Sequence, residues 1–405
     1  MSHAKLKERN QATYPGESQR LTTVNPRGWR LPVLFSSSAL FAFLLFAAVD
    51  LCLRFSFHPD VYQLPIHNFI WWSVSDYRKL NQTPETLIFG SSLMLAVTDY
   101  GDATYLNRTI DSATHHQSIC LANSLDKLTG GQHSNFSFAV GGQMASDVYA
   151  IARTLINPMC PPKLIIWGIA PRDFVDTAFR EPIVSSTAQY MNKISGNNII
   201  AEQHTSLPYY IEQTLRQISK LFSSKEDFIS PQMTAARTLV NDLTKGLDIP
   251  SDKNTPRHYG AAAEENLEIG DRLVPPCKAA PERLVDNTTE YRARYNPFKP
   301  QSFALQLKYC DNFLSYADKL RIKVLFVNMP ITSTNMALMP EGVYKLYLNN
   351  IKQLAQNHAA TFYDFNKESL FSEKDFVDSV HLNGIGGKHF VEILAHRIAS
   401  DHILK

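Results

Sequence analysis

Short apolar runs that end in glycine, serine or proline alternate with stretches of helical periodicity along much of this chain. Thr86–Phe89 is the first run and closes on Gly90-Ser91-Ser92. Phe136–Val140 is the second; it closes on Gly141-Gly142, and helical spacing follows from Ser146 to Leu155. Lys163–Trp167 is entered from Pro161-Pro162 and ends at Gly168. After a long interruption the rhythm resumes with a helix over about Ser302–Leu320 and the run Lys323–Val327, which ends at Asn328-Met329-Pro330. A helix over about Gly342–Asn357, the run Thr361–Tyr363 and an amphipathic helix from about Ile385 to Ile398 complete the pattern. Short apolar runs alternating with helices predict a parallel sheet covered on both faces. Ligands in such α/β folds bind beyond the carboxyl ends of the strands, and the Gly, Ser and Pro turns fall there.

The interruption, residues 174–300, is rich in polar residues. It holds helical fragments at Tyr209–Phe222 and Gln232–Leu247, then a Pro/Gly/Asn-containing region over 248–300. A structureless loop of that length is implausible in a compact domain, so the expectation is a mostly helical insertion or lid. At the other end, residues 1–30 are polar and aperiodic, as in a disordered tail.

Leu31 to Leu53 reads LPVLFSSSALFAFLLFAAVDLCL. As a helix it is long enough for a hydrocarbon core of roughly 30 Å. Asp50 sits near its end, where it can reach the interface. Lys5, Lys7, Arg9, Arg20, Arg27 and Arg30 precede it and outnumber Glu8 and Glu17. The positive-inside rule then keeps the N-terminus cytoplasmic and places the chain after about Arg54 outside, in the periplasm of a Gram-negative cell. A cleaved signal peptide has a shorter apolar core, of about 7–15 residues. The expectation is a single-pass anchor in the cytoplasmic membrane. Phe55 to Pro84 is aromatic-rich and reads as a juxtamembrane connector, and residues 85–405 as the extracytoplasmic domain.

Composition narrows the function. The 405-residue chain has a formal net charge of +2, so no basic field points to nucleic acid. Cys120, Cys160, Cys277 and Cys310 fall in the exported part, with Cys52 in the apolar segment. Four cysteines outside the cytoplasm permit two disulfides, or four free thiols. His115-His116 and His389 read as surface or helix-face histidines, and His204 and His258 lack partners at ligand spacing. No metal is expected. No nucleotide is expected either, since neither a P-loop nor a convincing dinucleotide fingerprint occurs.

Three motifs carry candidate chemistry. In Gly90-Ser91-Ser92-Leu93, a serine just after a strand faces a helix N-terminus and local N–H groups, which favour developing negative charge. A serine hydroxyl needs a base to become a nucleophile. The plain alternative is a serine N-cap. In Asp378-Ser379-Val380-His381, a spacing of three lets the Asp orient the His while the His takes the serine proton. Asn383 is placed to cap the last helix. In Val140-Gly141-Gly142-Gln143, glycine permits close backbone approach and an N–H aimed at an oxyanion. Tyr291-Arg292-Ala293-Arg294-Tyr295 could hold an anionic acceptor or carrier through Arg292 and Arg294, or be a solvated strand or loop.

The order of these blocks resembles the SGNH/GDSL-type hydrolase superfamily. Gly90-Ser91-Ser92-Leu93 is similar to its first block, Gly-Asp-Ser-Leu, with Ser91 in place of Asp. The match implies Ser92 as nucleophile ahead of Ser91, an oxyanion hole of the Ser92 and Gly142 N–H groups, and Asp378 and His381 as the fifth block. It also implies a three-layer, flavodoxin-like fold. The third block departs: Ala170 stands where the family has an oxyanion-donating Asn, in Gly168-Ile169-Ala170-Pro171-Arg172-Asp173-Phe174. The hole then lacks one donor unless Arg172 or a lid residue replaces it. These features together resemble a membrane-anchored branch, similar to the D-alanyl transfer protein of teichoic acid modification and to alginate O-acetylation proteins. Such proteins work beside a multi-pass membrane-bound O-acyltransferase. The resemblance covers about 85–174 and 300–400, and implies no cofactor.

The resulting expectation is serine-dependent acyl transfer to a cell-envelope or extracellular polysaccharide through an acyl-serine. With water as acceptor the same site is a carbohydrate esterase. The third alternative is a non-catalytic accessory subunit of the membrane acyltransferase.

Overall fold

A computed structural model describes residues 38–58, 60–64, 67–177, 185–196, 199, 211, 214–216, 218–224, 273–367 and 370–404. Two helices come first, α1 (Ser38–Ser56) and α2 (Phe69–Tyr77). Strand β1 (Thr86–Gly90), helices α3 (Ser92–Leu106) and α4 (Ile119–Thr129), strand β2 (Asn135–Ser137), helix α5 (Ala145–Leu155) and strand β3 (Leu164–Ile169) follow. Helix α6 (Arg172–Val175) leads into the interruption, and α7 (Ser186–Ser195), α8 (Lys220–Ser223) and α9 (Thr288–Tyr295) lie in it. The chain returns through α10 (Pro300–Lys319), β4 (Lys323–Asn328), α11 (Val343–Asn357), β5 (Thr361–Asp364) and α12 (Gly384–Ser400).

The five strands form one parallel sheet in the order β2-β1-β3-β4-β5. This is the doubly wound 2-1-3-4-5 order, with its switch point between β1 and β3. The reversal of strand order, with right-handed crossovers, puts helices on both faces. Accordingly α12 packs on α3 and α4, while α10 packs on α5, α6 and α11. The middle strands are buried on both sides: Leu87, Ile88, Phe89, Ile165, Ile166, Leu325, Phe326 and Val327 are fully enclosed. That is why they read as unbroken apolar runs. Register aligns Gly90 with Gly168, Ile169 with Asn328, and Asn328 with Asp364, so the strand ends share one edge.

Several expectations change. Within the stretch expected to be a connector, α2 packs into the core of the domain. Its Ile70, Trp71 and Val74 are buried, and Tyr77 meets Phe136 and Phe138 edge-on. Residues 291–295 form the end of α9 rather than a strand or loop. His116 is buried and His115 half-buried rather than on the surface; His115 Nε2 lies 2.9 Å from Asp102 of α3. All five cysteines are free thiols. Of the helical fragments expected in the interruption, residues 211, 214–216, 218 and 220–223 are helical, while Gln232–Leu247 lies outside the described residues. Among the described residues no helix is long and apolar enough to cross a membrane. The expected anchor includes residues 31–37, which lie outside them.

Helix α3 carries an unusual buried load: Thr98, Asp99 and Asp102 are enclosed between it and the 110–120 segment. Burial pushes the Asp99 carboxyl up to about 7, against the Ser112 and Thr98 hydroxyls and His115, with Asp102 adding to the rise. A carboxyl with a raised folded pKa contributes stability that is complete below its unfolded value of 3.8 and is lost as pH rises through about 7. Denaturant unfolding should therefore show wild type losing stability between about pH 4 and pH 7, and Asp99→Asn losing less over the same interval.

Candidate active site

The turn from β1 into α3 is forced by glycine. Gly90 has φ +152°, and a Cβ there would sit 2.6 Å from Met94 Cβ and 2.8 Å from Gly168 O. Ser91 follows as N-cap without a side-chain capping bond, and Ser92 is the first residue of α3. The two hydroxyls have different surroundings. Ser91 is 1% exposed, and its hydroxyl lies against Asp173. Ser92 is partly exposed, and its Oγ lies 2.8 Å from His381 Nε2. Neither serves as an N-cap side chain, so the plain reading of this Ser pair fails.

His381 Nδ1 lies 2.7 Å from Asp378 Oδ2, completing a Ser92–His381–Asp378 chain between residues 289 apart in sequence. The other carboxylate oxygen, Oδ1, accepts the N–H groups of Val380 and His381, each at 2.8 Å. Burial works to raise the Asp378 pKa, but the hydrogen bond and charge of His381 and these two N–H groups outweigh it and hold the carboxylate below its ordinary value. Asp378 is therefore ionised and fixed at both oxygens.

The loop carrying this pair is braced from three sides. Thr332 donates its N–H and hydroxyl to Ser379 O at 3.0 and 2.9 Å. Asn335 Nδ2 donates to Ser379 Oγ at 2.9 Å, and that hydroxyl donates to Asn287 Oδ1, just before α9. Asn383 caps α12, accepting the N–H groups of Ile385 and Gly386 at 3.0 Å each.

Gly142 stands at the end of the β2 segment with φ +78°, a conformation that favours glycine. Its N–H has no acceptor among the described residues. The N–H of Ser92 lies in the first turn of α3, where no intrahelical acceptor exists. Gln143 links the two loops. Its Oε1 accepts the Gly90 N–H at 2.9 Å, its Nε2 donates to Phe138 O at 2.8 Å, and the residue is buried. Sequence reasoning quoted Gln143 inside its motif without giving it a role.

The third strand end supplies no side-chain donor. Ala170 is buried, and its N–H is taken by Asp173 Oδ2 at 2.9 Å. Arg172 is 4% exposed; its Nε bonds Asp176 Oδ2 at 3.0 Å, and its Nη1 lies 3.6 Å from Asp173. Arg294 also bonds Asp176, and pairs with Glu290 at 2.7 Å. Arg172 and Arg294 thus tie α6 to α9 in a buried charge cluster, while Arg292 is exposed on α9. The structure does not gather the three arginines into one face. Arg172, the residue expected to make up for the missing Asn, has its Nε on Asp176 and its Nη1 near Asp173. Among the described residues no cluster of three or more His, Cys, Asp or Glu could hold a metal ion.

The arrangement can relay a proton from Ser92 Oγ to His381 Nε2 while Asp378 holds Nδ1–H, beside two N–H groups free to meet negative charge.

A protein-family model matches residues 292–403, less than half of the chain. No curated protein matches it. Solved structures similar to it include a provisionally assigned acylhydrolase of Bacteroides fragilis NCTC 9343, at 10% identity and TM-score 0.36, covering 85% of this chain and 100% of that one. The acetyl xylan esterase AlAXEase is 12% identical with TM-score 0.32, covering 78% of this chain and 98% of that one. The lipase Lip_vut3 of a goat rumen metagenome is 10% identical with TM-score 0.36, covering 80% and 100%. Likenesses this weak assign neither substrate nor reaction.

Proposed function

We propose that this chain is a membrane-anchored, serine-dependent O-acyltransferase acting on a cell-envelope or extracellular polysaccharide. The observation that supports it most is the Ser92–His381–Asp378 chain at the carboxyl edge of the sheet. His381 takes the Ser92 proton, and Ser92 Oγ attacks the acyl carbonyl of the donor. The oxyanion is met by the N–H groups of Ser92 and Gly142. Collapse expels the donor's leaving group, protonated by His381, and leaves an acyl-serine. An acceptor hydroxyl, deprotonated by His381, then takes the acyl group and frees Ser92. The apolar run Leu31–Leu53 is the anchor, and a multi-pass membrane-bound O-acyltransferase is the proposed donor-side partner. No cofactor enters these steps.

The test offers the purified chain an aryl acetate with and without a polysaccharide acceptor. Acyl transfer to sugar faster than hydrolysis is the expected result. Hydrolysis alone would replace transferase with carbohydrate esterase. Failure of a fluorophosphonate to label a folded protein would overturn both and leave an accessory subunit.

Gln143 sets the distance between the two N–H groups of the hole, because it grips Gly90 on one side and the Phe138 carbonyl on the other. Misplacement by about 1 Å costs on the order of 10²-fold in rate. Gln143→Ala is expected to lower kcat for the aryl acetate by about that factor with KM little changed. Unchanged kcat in steady-state kinetics would show that the hole does not depend on this amide.

A further inference from the structure

Helix α1 is apolar around its whole circumference. Phe41, Phe43, Leu44, Leu45, Phe46, Val49, Leu51 and Phe55 are all more than one-third exposed, Phe41 at 70% and Phe55 at 79%. Successive positions step 100° around a helix, so these residues leave no polar face over most of its length. Its polar contacts cluster toward the C-terminal end. Asp50 is 7% exposed there, because it is covered by the segment around α8. Its Oδ1 accepts the Ser219 hydroxyl at 2.7 Å and the Leu221 N–H at 2.9 Å. Its Oδ2 accepts Arg54 Nε at 2.9 Å, and Arg54 Nη2 donates to Ile218 O. A carboxylate that interrupts an apolar sequence thus holds a piece of the interruption against α1.

That piece has an apolar side of its own. Ile211 and Ile218 are both helical and are 52% and 59% exposed. Arg54 lies one helical turn beyond Asp50, and Lys220 stands in the chain between Ser219 and Leu221, which both bond that carboxylate. Basic residues so near the end of an apolar helix match phospholipid headgroups. The apolar sequence continues from α1 back to Leu31, and the tail before it is basic. A bilayer therefore covers the α1 face better than a water-soluble partner, and Asp50 falls at its outer boundary.

We propose that the segment from Ile218 through α8, clamped to α1 by Asp50 and Arg54, is a second membrane-contacting element with Ile218 among the outer-leaflet acyl chains. This inference rests on the anchored reading above. Its consequence is that the interruption is fastened to the membrane surface at a second point, which limits how far it can swing from the anchor.

The experiment places p-benzoylphenylalanine at Ile218, at Phe46 in α1, or at Val285, which is exposed beside the Asp378 loop. The full chain is reconstituted in vesicles of phosphatidylethanolamine and phosphatidylglycerol and irradiated, and adducts are read by mass spectrometry. Lipid adducts at Phe46 and Ile218, with none at Val285, are expected. Asp50→Ala should abolish the Ile218 adduct and leave the Phe46 adduct. Adducts at Phe46 alone in the otherwise native chain would overturn the second contact and leave the anchor standing. Lipid adducts at neither helix position would overturn both. Ile218 adducts only to protein would replace lipid with a second copy of the chain. An Ile218 lipid adduct that survives Asp50→Ala would remove the clamp.

Discussion

Ser92→Ala is expected to abolish fluorophosphonate labelling and to lower aryl-acetate turnover by about 10⁴-fold or more, toward the level set by binding and the two N–H groups alone. The argument is geometric. Ser92 Oγ has His381 Nε2 at 2.8 Å, and its carbon framework starts a helix whose N-terminal dipole faces the attacking oxygen. Ser91 cannot take over. It is 1% exposed and turned to Asp173, a carboxyl that burial raises to about 6 against the pull of Arg172. A serine facing such a group has no base aimed at an open cleft. Stability should be little affected, about 0.5 kcal/mol or less, because the Ser92 hydroxyl caps nothing. Peptide mapping of the labelled protein decides the nucleophile. Label on Ser91 would exchange the roles of the two serines, and full activity in Ser92→Ala would show that the site is not used.

The strands were legible because each middle strand is buried on both faces and so must be apolar throughout. Thr86–Gly90 and Lys323–Asn328 fall within a residue or so of their apolar runs. The turn chemistry was legible for a related reason: Gly90 stands where a Cβ would meet Met94, which leaves little choice at that position. Other features were hidden because their causes are tertiary. Helix α2 falls in the aromatic-rich stretch that reads as a juxtamembrane connector, since Trp and Tyr suit a membrane boundary as well as a core edge. Only the packing of Val74 and Tyr77 decides between them. Arg172 reads as a stand-in oxyanion donor and Arg294 as a ligand fork because sequence does not reveal that Asp176 meets both. Gln143, Thr332 and Asn335 act through partners far away in the chain, and a polar side chain gives no local signal of a distant partner.

Asp378→Asn separates the two duties of that carboxylate. As a loop brace, Oδ1 accepts the Val380 and His381 N–H groups, and an amide oxygen can replace it there. The amide NH₂ then occupies the place of Oδ2, 2.7 Å from His381 Nδ1. A donor facing Nδ1 forces that nitrogen to accept, so the imidazole proton moves to Nε2. Nε2–H then points at Ser92 Oγ and cannot take its proton. The expected result is a fall of about 10⁴-fold in kcat with the domain still folded. Stability gives a second readout with a definite sign. The folded Asp378 pKa lies below its ordinary value of 3.8, so its contribution is present above that value and is lost as pH falls through the folded one. Asp378→Asn should therefore show a shallower loss of stability on the acid side in denaturant unfolding. A variant that keeps activity within about tenfold of wild type would reduce Asp378 to a loop brace, since the amide can neither set the tautomer nor stabilise the imidazolium by charge.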